Sequence, residues 1–440
     1  MKMMFGRRLF FLMVVLGCVL GRTAAAEPAA EWQQAQLYTL TAWFSLASYD
    51  DRLGEVARQE LKNRGWQLEP FREDQKNIAA RFLLFSHSEG AEHAYFLSVP
   101  GTEGKSDVMV DLNFGKVHFA GSTPEEFVSE AAKEVTAEAP QVHGGFNAYT
   151  QAAFFNKKDA SGRTFGEYLA EVLLAQPQRR LYITGHSLGG AVSTLLAARL
   201  AAMGVPAEQL HVVTYGAPAV GNEAFAAGYE DKFTLDRITI AGDPVKGVLQ
   251  TLQSGYKQFG HHEAWQQSKT TDKFPHNMTV YADAALRNLY DVQQHLQQGY
   301  AAEVGRYTQL QQHVYVMPFV FSLPEKLQDD QKYMELAQKD VLQDCVTDIS
   351  YAEGDISLAA ACREAKKQGC QYILQETVRA QRSKNELDNY QIELAEIIYD
   401  TEGNVLSLQT NVTNTGTLTP LEAVVYNQMM AQEKRTEVLH

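Results

Sequence analysis

The run Gly185-His186-Ser187-Leu188-Gly189-Gly190 carries the strongest chemical signal in the chain. It fits Gly-x-Ser-x-Gly, a pattern that serves nucleophilic catalysis where a strand leads in and a helix leads out. The strand-like Leu181-Tyr182-Ile183-Thr184 precedes it. The Ala- and Leu-rich run Ala191–Met203 follows, stopped by Gly204 and Pro206. A serine at so sharp a turn is held with its hydroxyl exposed. The helix N-terminus behind it aims free N–H groups at a developing oxyanion. Gly185 and Gly189 have no Cβ, so neighbouring backbone can close around the turn. The Leu188 N–H, next after the nucleophile, is the first oxyanion donor.

A serine hydroxyl is a weak nucleophile until a base takes its proton, and the base needs an orienting carboxylate. Behind this kind of turn the chain order is Ser, acid, His. Asp243 follows the apolar run Arg237–Ile240 and the turn Ala241-Gly242, just past a strand's C-terminal end. Sites of open α/β sheets gather there. A plain turn-capping aspartate is the other reading of Asp243. Asp236 precedes its strand, and Asp272 lies in a polar loop. The histidines further on are His261, His262, His276, His295 and His313. His276 ends the loop Lys269–Pro275 and opens an amphipathic helix reaching about Tyr290, so it can swing onto the serine. His261 and His262 lie in a Gly- and aromatic-rich loop, as cleft or surface residues. His295 and His313 read as solvated, and His186 reads as packed beneath the turn.

Taken together these residues resemble the class 3 (fungal lipase-like) α/β-hydrolases. The resemblance rests on GHSLGG at Gly185–Gly190, on YGAPAVGN at Tyr215–Asn222, and on Asp243. It also rests on His276-Asn277-Met278 with Tyr281, on Val142-His143-Gly144-Gly145-Phe146 with Tyr149, and on Val99-Pro100-Gly101-Thr102. It spans about residues 31–290. It implies a triad of Ser187, Asp243 and His276, with Thr102 beside Leu188 in the oxyanion hole and no metal or organic cofactor. The substrate implied is a lipid or other carboxylic ester, an acylglycerol first, with phospholipids or short-chain esters as alternatives. Pro100 stands where the family carries Arg. Proline has no N–H and a fixed φ, so packing beside Thr102 must differ. Between Thr102 and Val142 the family carries its lid. Here Phe114–Phe119 and the acidic run Thr123–Glu138 read equally as a mobile cover or a surface helix.

The elements that must position these residues alternate. Trp32–Leu46 has helical spacing. Phe82–Phe85, Ala94–Val99, Leu181–Thr184, His211–Tyr215 and Arg237–Ile240 are short, β-branched or aromatic runs. Buried strands alternating with helices imply an α/β fold, an α/β-hydrolase with a mostly parallel central sheet, over residues 27–290. Residues 291–312 read as a polar, Gln-rich helical connector with little apolar surface to tie two units together. A smaller α/β domain follows over 313–440. It holds a strand at Val314–Phe321, helices at Glu325–Leu342 and Leu358–Gln368, strands at Tyr372–Ala380, Asn389–Tyr399 and Val405–Thr410, and a helix at Leu421–Glu433. Its strand motifs are similar to the small domain of TolB-type and curli-export-type envelope proteins. That similarity implies an interaction module for a protein partner. A rival for the whole chain is a non-catalytic envelope protein with a vestigial hydrolase domain, against which the intact Ser, Asp and His argue.

Composition sets outer limits. The chain has 440 residues, 45% hydrophobic and 21% charged, which excludes collagen-like, disordered and polytopic membrane classes. Its net charge of −14 repels phosphate backbones, so nucleic acid is excluded as a partner class. Residues 1–26 read as a cleaved signal peptide. Lys2, Arg7 and Arg8 form the basic region, Leu9–Leu20 is an apolar run of 12 residues, and Ala24-Ala25-Ala26 offers the cleavage site. The run is too short to cross a hydrocarbon core of about 30 Å. Removal leaves 35 Lys and Arg against 53 acidic residues, or −18. Export, by secretion or to the cell envelope and its periplasm, is the expectation, with transient contact at a lipid interface. Leu16-Gly17-Cys18 admits a minority reading as a lipoprotein site acylated at Cys18. Cys345, Cys362 and Cys370 then remain, either as one disulfide and a thiol or as three thiols.

Overall fold

The computed structural model describes residues 26–75, 78–87, 94–102, 115–136, 138–245, 255–296, 310–383 and 389–439. The signal-peptide reading of residues 1–26 and the Cys18 alternative fall almost wholly outside them. No helix among the described residues is long and apolar enough to cross a membrane.

The larger unit is built on a seven-stranded sheet of order β1-β2-β3-β6-β7-β8-β9. Its strands are β1 (Trp66–Gln75), β2 (Ile78–His87), β3 (Ala94–Val99), β6 (Arg180–His186), β7 (Leu210–Tyr215), β8 (Thr234–Ile240) and β9 (His261–Trp265). A small pair, β4 (Lys116–His118) and β5 (Gln141–His143), stands apart. From β3 through β9 the neighbours are parallel, while β1 and β2 join antiparallel. The helices of this unit are α1 (Ala26–Ala47), α2 (Arg52–Asn63), α3 (Pro124–Ala131), α4 (Gly144–Phe154), α5 (Phe165–Ala175), α6 (Leu188–Ala202), α7 (Glu223–Tyr229) and α8 (Met278–Leu296).

Residues Gly189–Leu200 of α6 are all buried. This explains why that helix shows no polar stripe: a helix apolar all round belongs in a core. One core joins α4, α5 and α6 to the sheet, and the other joins α1 and α8 to its opposite face. The fold class is thus the expected one, a mostly parallel sheet covered on both faces. Two edge strands were not expected. β1 carries Pro70 and four charged residues, Glu69, Arg72, Glu73 and Asp74, as an edge strand tolerates. β9 replaces the loop read around His261 and His262.

The second unit has a sheet of order β12-β10-β13-β14-β15, with β11 also paired to β13. These strands are β10 (Leu310–Val316), β11 (Val320–Ser322), β12 (Val346–Tyr351), β13 (Tyr372–Arg382), β14 (Tyr390–Asp400) and β15 (Val405–Asn414). Its helices are α9 (Gln331–Cys345), α10 (Leu358–Gln368) and α11 (Pro420–Val438). β12 was unforeseen, and the strand read over Val314–Phe321 divides into β10 and β11. The three thiols of Cys345, Cys362 and Cys370 are unpaired.

Of the connector read over 291–312, residues 297–309 lie outside the described residues; in its described part Val292 and Leu296 pack against a buried cluster, where little apolar surface was expected. Leu286, Leu289 and Tyr290, at helical spacing on α8, share one buried cluster with Trp32 and Ala35 of α1 and with Met334, Leu421 and Val424 of the second unit. The polar residues of that stretch occupy the other face of the helix. Ion pairs lie beside this core. Arg287 Nε stands 2.6 Å from Asp283 and its Nη1 2.7 Å from Asp330, with both aspartates buried. Thr419 Oγ1 donates to Asp283 at 2.7 Å.

The second unit also buries two carboxylates beside one guanidinium. Glu376 and Glu396 face Arg435, and all three are at most 1% exposed. Gln338 and Gln428 both donate to Glu376. Burial, with Glu396 adding to it against the pull of Arg435, pushes the Glu376 carboxyl up from 4.5 to about 8. A folded carboxyl that holds its proton above its unfolded value loses stability as pH rises between the two values. Thermal unfolding is therefore expected to fall in midpoint from about pH 5 to about pH 8. Glu376→Gln is expected to flatten that slope, and a slope unchanged by the substitution would contradict the assignment.

Candidate active site

Ser187 ends the turn between β6 and α6 with φ 56° and ψ −124°. It is the sole non-glycine residue with positive φ among the described residues. Such backbone costs about 1–3 kcal/mol and persists where the surroundings over-determine it. The surroundings here are tight. A Cβ on Gly189 would come within 2.1 Å of the Val99 carbonyl oxygen, so the first turn of α6 lies directly on the end of β3. The Ser187 N–H donates to the Tyr215 carbonyl at 2.9 Å, tying the turn to the end of β7.

The loops after β8 and β9 bring the other two expected residues. His276 Nε2 stands 2.9 Å from Ser187 Oγ, and His276 Nδ1 stands 2.9 Å from Asp243 Oδ2. All three residues are buried, Ser187 being 4% exposed. Burial presses the Asp243 carboxyl upward. Hydrogen bonds from His276, Tyr281 and the Val245 N–H, with the charge of the imidazole, outweigh it and hold the group below its ordinary value. The stability this carboxylate adds is complete above the ordinary carboxylate range and is lost as pH falls through the lowered value.

The remaining histidines are placed elsewhere. His261 is exposed beside Glu263, and His262 pairs with Thr239 at 2.8 Å on β9. His295 is exposed on α8, as expected. His313 is not solvated as read: it lies on β10, 2.9 Å from Ser350 Oγ. Asp236 does not precede its strand as read but lies within β8, buried and paired with His211, and exposed Asp272 pairs with Lys326. His143 is fully buried and accepts from the Phe146 N–H as the N-cap of α4.

Leu188, first residue of α6, has an N–H that no intrahelical carbonyl reaches. Thr102 is half-buried, directly after Gly101, which lies against the His186 carbonyl. Of the stretch read as lid or surface helix, the described part contains α3. Phe127 anchors it in the core against Phe155, and the Arg199 guanidinium lies over both Phe127 and Phe119. Residues 103–114 lie outside the described residues.

The supporting roles of three residues escaped the sequence reading, although its motifs contain two of them, Tyr281 and Gly216. The Tyr281 hydroxyl donates to Asp243 Oδ2 and accepts from the Ile240 N–H. Its signal was present as the tyrosine five positions after His276. Gly216, at φ 59°, leaves room where a Cβ would sit 2.8 Å from Asp243 Oδ2 and 3.1 Å from His276 Nδ1. Tyr49 is the third. The His276 carbonyl must accept from His186 Nε2–H at 2.8 Å, so His186 Nδ1 is the bare nitrogen, and Tyr49 Oη–H donates to it at 2.6 Å. Tyr49 Oη in turn accepts from the Gly101 N–H at 3.2 Å. Burial, then the neighbouring His276, drives the His186 pKa down to about 3, so the ring is neutral and the chain of donors has one direction. Tyr49→Phe strands both partners. It is expected to cost about 1–3 kcal/mol of stability and to lower turnover by loosening the Gly101–Thr102 segment. Denaturant unfolding and ester turnover measured on the same preparation check both.

A strained serine behind a parallel strand, hydrogen-bonded through histidine to a buried aspartate, defines a serine-hydrolase type of α/β fold. Residues 96–251 match the model of the lipase (class 3) family, so the resemblance carried by GHSLGG, YGAPAVGN and VHGGF is borne out over that span. A secreted mono- and diacylglycerol lipase A of Penicillium camembertii is 40% identical over 88 residues, 20% of this chain and 28% of its own. A phospholipase A1-II 1 of Oryza sativa subsp. indica is 29% identical over 122 residues, 26% of this chain and 31% of its own. The chain thus spans less than a third of the length of these two relatives. The solved lipase of Rhizopus microsporus var. chinensis aligns over 58% of this chain and 78% of its own, with 20% identity and a TM-score of 0.40.

Proposed function

We propose that the protein is an exported serine hydrolase that cleaves carboxylic esters of lipids, acylglycerols first among them. The hydrogen-bonded Ser187–His276–Asp243 chain, with Ser187 in strained backbone, carries this reading. Ser187 Oγ attacks the ester carbonyl while His276 Nε2 takes its proton. The carbonyl oxygen, now anionic, is received by the Leu188 N–H and by Thr102. His276 returns the proton to the departing alcohol, leaving an acyl-enzyme. Water, deprotonated by the same nitrogen, adds to the acyl carbon, and the Ser187–acyl bond breaks to release the acid. Asp243 fixes the imidazole tautomer and stabilises the imidazolium. In this second half His276 hands the proton taken from water to Ser187 Oγ, which restores the free serine.

The mono- and diacylglycerol lipase relative supports acylglycerols as substrate, and the phospholipase A1 relative supports a second reading on phospholipid esters. The leader at residues 1–26 supports export. The C-terminal unit reads as a module for a protein partner, and contact with a lipid interface follows from the substrate class. The test is hydrolysis of p-nitrophenyl esters of increasing chain length, then of diacylglycerol against phosphatidylcholine emulsions, alongside labelling of Ser187 by a fluorophosphonate. Labelling with preference for diacylglycerol supports the first reading. Absence of labelling would leave the vestigial, non-catalytic alternative.

A further inference from the structure

We propose that Lys273 is a positioning residue through which the C-terminal unit holds the loop that carries His276. The inference rests on the triad reading and extends it: the second unit becomes part of what orients the base.

The loop between β9 and α8 delivers His276 over the Ser187 turn. Lys273 lies three residues before it. Its ammonium donates across to the second unit, to the carbonyls of Thr415 and of Gly416, the latter at 2.7 Å. A cavity of about 160 Å³ lies between the two surfaces, lined by Thr271, Asp272 and Lys273 on one side and by Asn389, Thr415 and Leu418 on the other. At this place the Lys273 ammonium spans from the loop to the second unit.

Both ends of the span are stiff. Thr415 is locked to β14, its N–H donating to the Tyr390 carbonyl and its hydroxyl accepting from the Tyr390 N–H, each at 2.9 Å. On the loop side the Lys273 carbonyl accepts from Gln267 Nε2 at 2.7 Å. The Asn277 N–H closes a turn onto the Phe274 carbonyl at 2.8 Å, and Pro275 fixes φ within it. A shift at Lys273 thus reaches His276 through a short, constrained segment. Within the larger unit the His276 carbonyl accepts from His186 Nε2. A further tie runs from Lys326 to Asp272, but both groups are well exposed, and exposed pairs hold little.

Lys273→Met keeps the stem and removes the donors. In the full chain, kcat for a p-nitrophenyl ester is expected to fall about 10- to 100-fold with little change in KM, the size expected when a reacting group is misplaced by about 1 Å. Amide hydrogen exchange over residues 269–276 is expected to speed up, and Lys273→Arg, which can donate to both carbonyls, is expected to restore both readouts. A kcat within twofold of wild type, or unchanged exchange in that loop, would overturn the proposal. So would a loss of activity matched by an equal loss of active sites titrated with fluorophosphonate, which reports unfolding rather than misorientation. A wild-type protein that fluorophosphonate fails to label would overturn the hydrolase reading instead, and the exchange measurement would still decide whether Lys273 holds the loop.

Discussion

Ser187→Ala is expected to lower kcat for ester hydrolysis by a factor on the order of 10⁶ and to abolish burst acylation. The hydroxyl is the one atom that forms the acyl bond in the proposed mechanism. What survives its removal is the catalysis of binding and the oxyanion donors alone, about 10³–10⁴ over water in the serine-protease precedent. The fold is expected to stand, because alanine keeps the Cβ and the backbone bonds to Tyr215, Gly190 and Ala191 do not involve the hydroxyl. Near-normal turnover in the purified variant, with unfolding unchanged, would end the hydrolase reading.

His276→Ala is expected to be nearly as damaging, because members of a triad act as one unit. Its ring bridges the two other members at 2.9 Å on each side. Its loss also leaves the Asp243 carboxylate buried with one fewer donor, so a stability loss of about 1–3 kcal/mol accompanies the kinetic one. His261→Ala and His262→Ala serve as the comparison, since both rings are engaged on β9 with Glu263 and Thr239. An inactive His261 or His262 variant beside an active His276 variant would reassign the base.

The two sets of residues behind these expectations differ in how they could be found. Ser187, Leu188 and the glycines around them were legible because strand, turn and helix lie within one short stretch. Their geometry is dictated by local backbone. Asp243 and His276 were legible by chain order and by place: each sits just beyond a strand end or at a helix start, where turn residues and a change of hydrophobic period mark the spot. The alternating core strands were legible for the same reason, since a buried parallel strand is a run of apolar residues.

The supporting set was not legible. Tyr49 lies 137 positions from His186, and Lys273 lies 142 from Thr415. A tyrosine at the end of an apolar helix and a lysine in a polar loop look ordinary until a partner is in place. The edge strands β1 and β9 escaped because solvent on one side allows charges and prolines that erase the apolar run. The fusion of the two units through Trp32, Leu286, Tyr290 and Leu421 escaped because a helix that is polar on average still buries its apolar stripe. The sequence by itself determined the candidate nucleophile, the chain order of the proposed triad and the class of fold, all of which local backbone and periodicity specify. Only the tertiary structure decided how the base loop is held and that the second unit touches it, because those contacts join side chains to backbone carbonyls that carry no identity in the sequence.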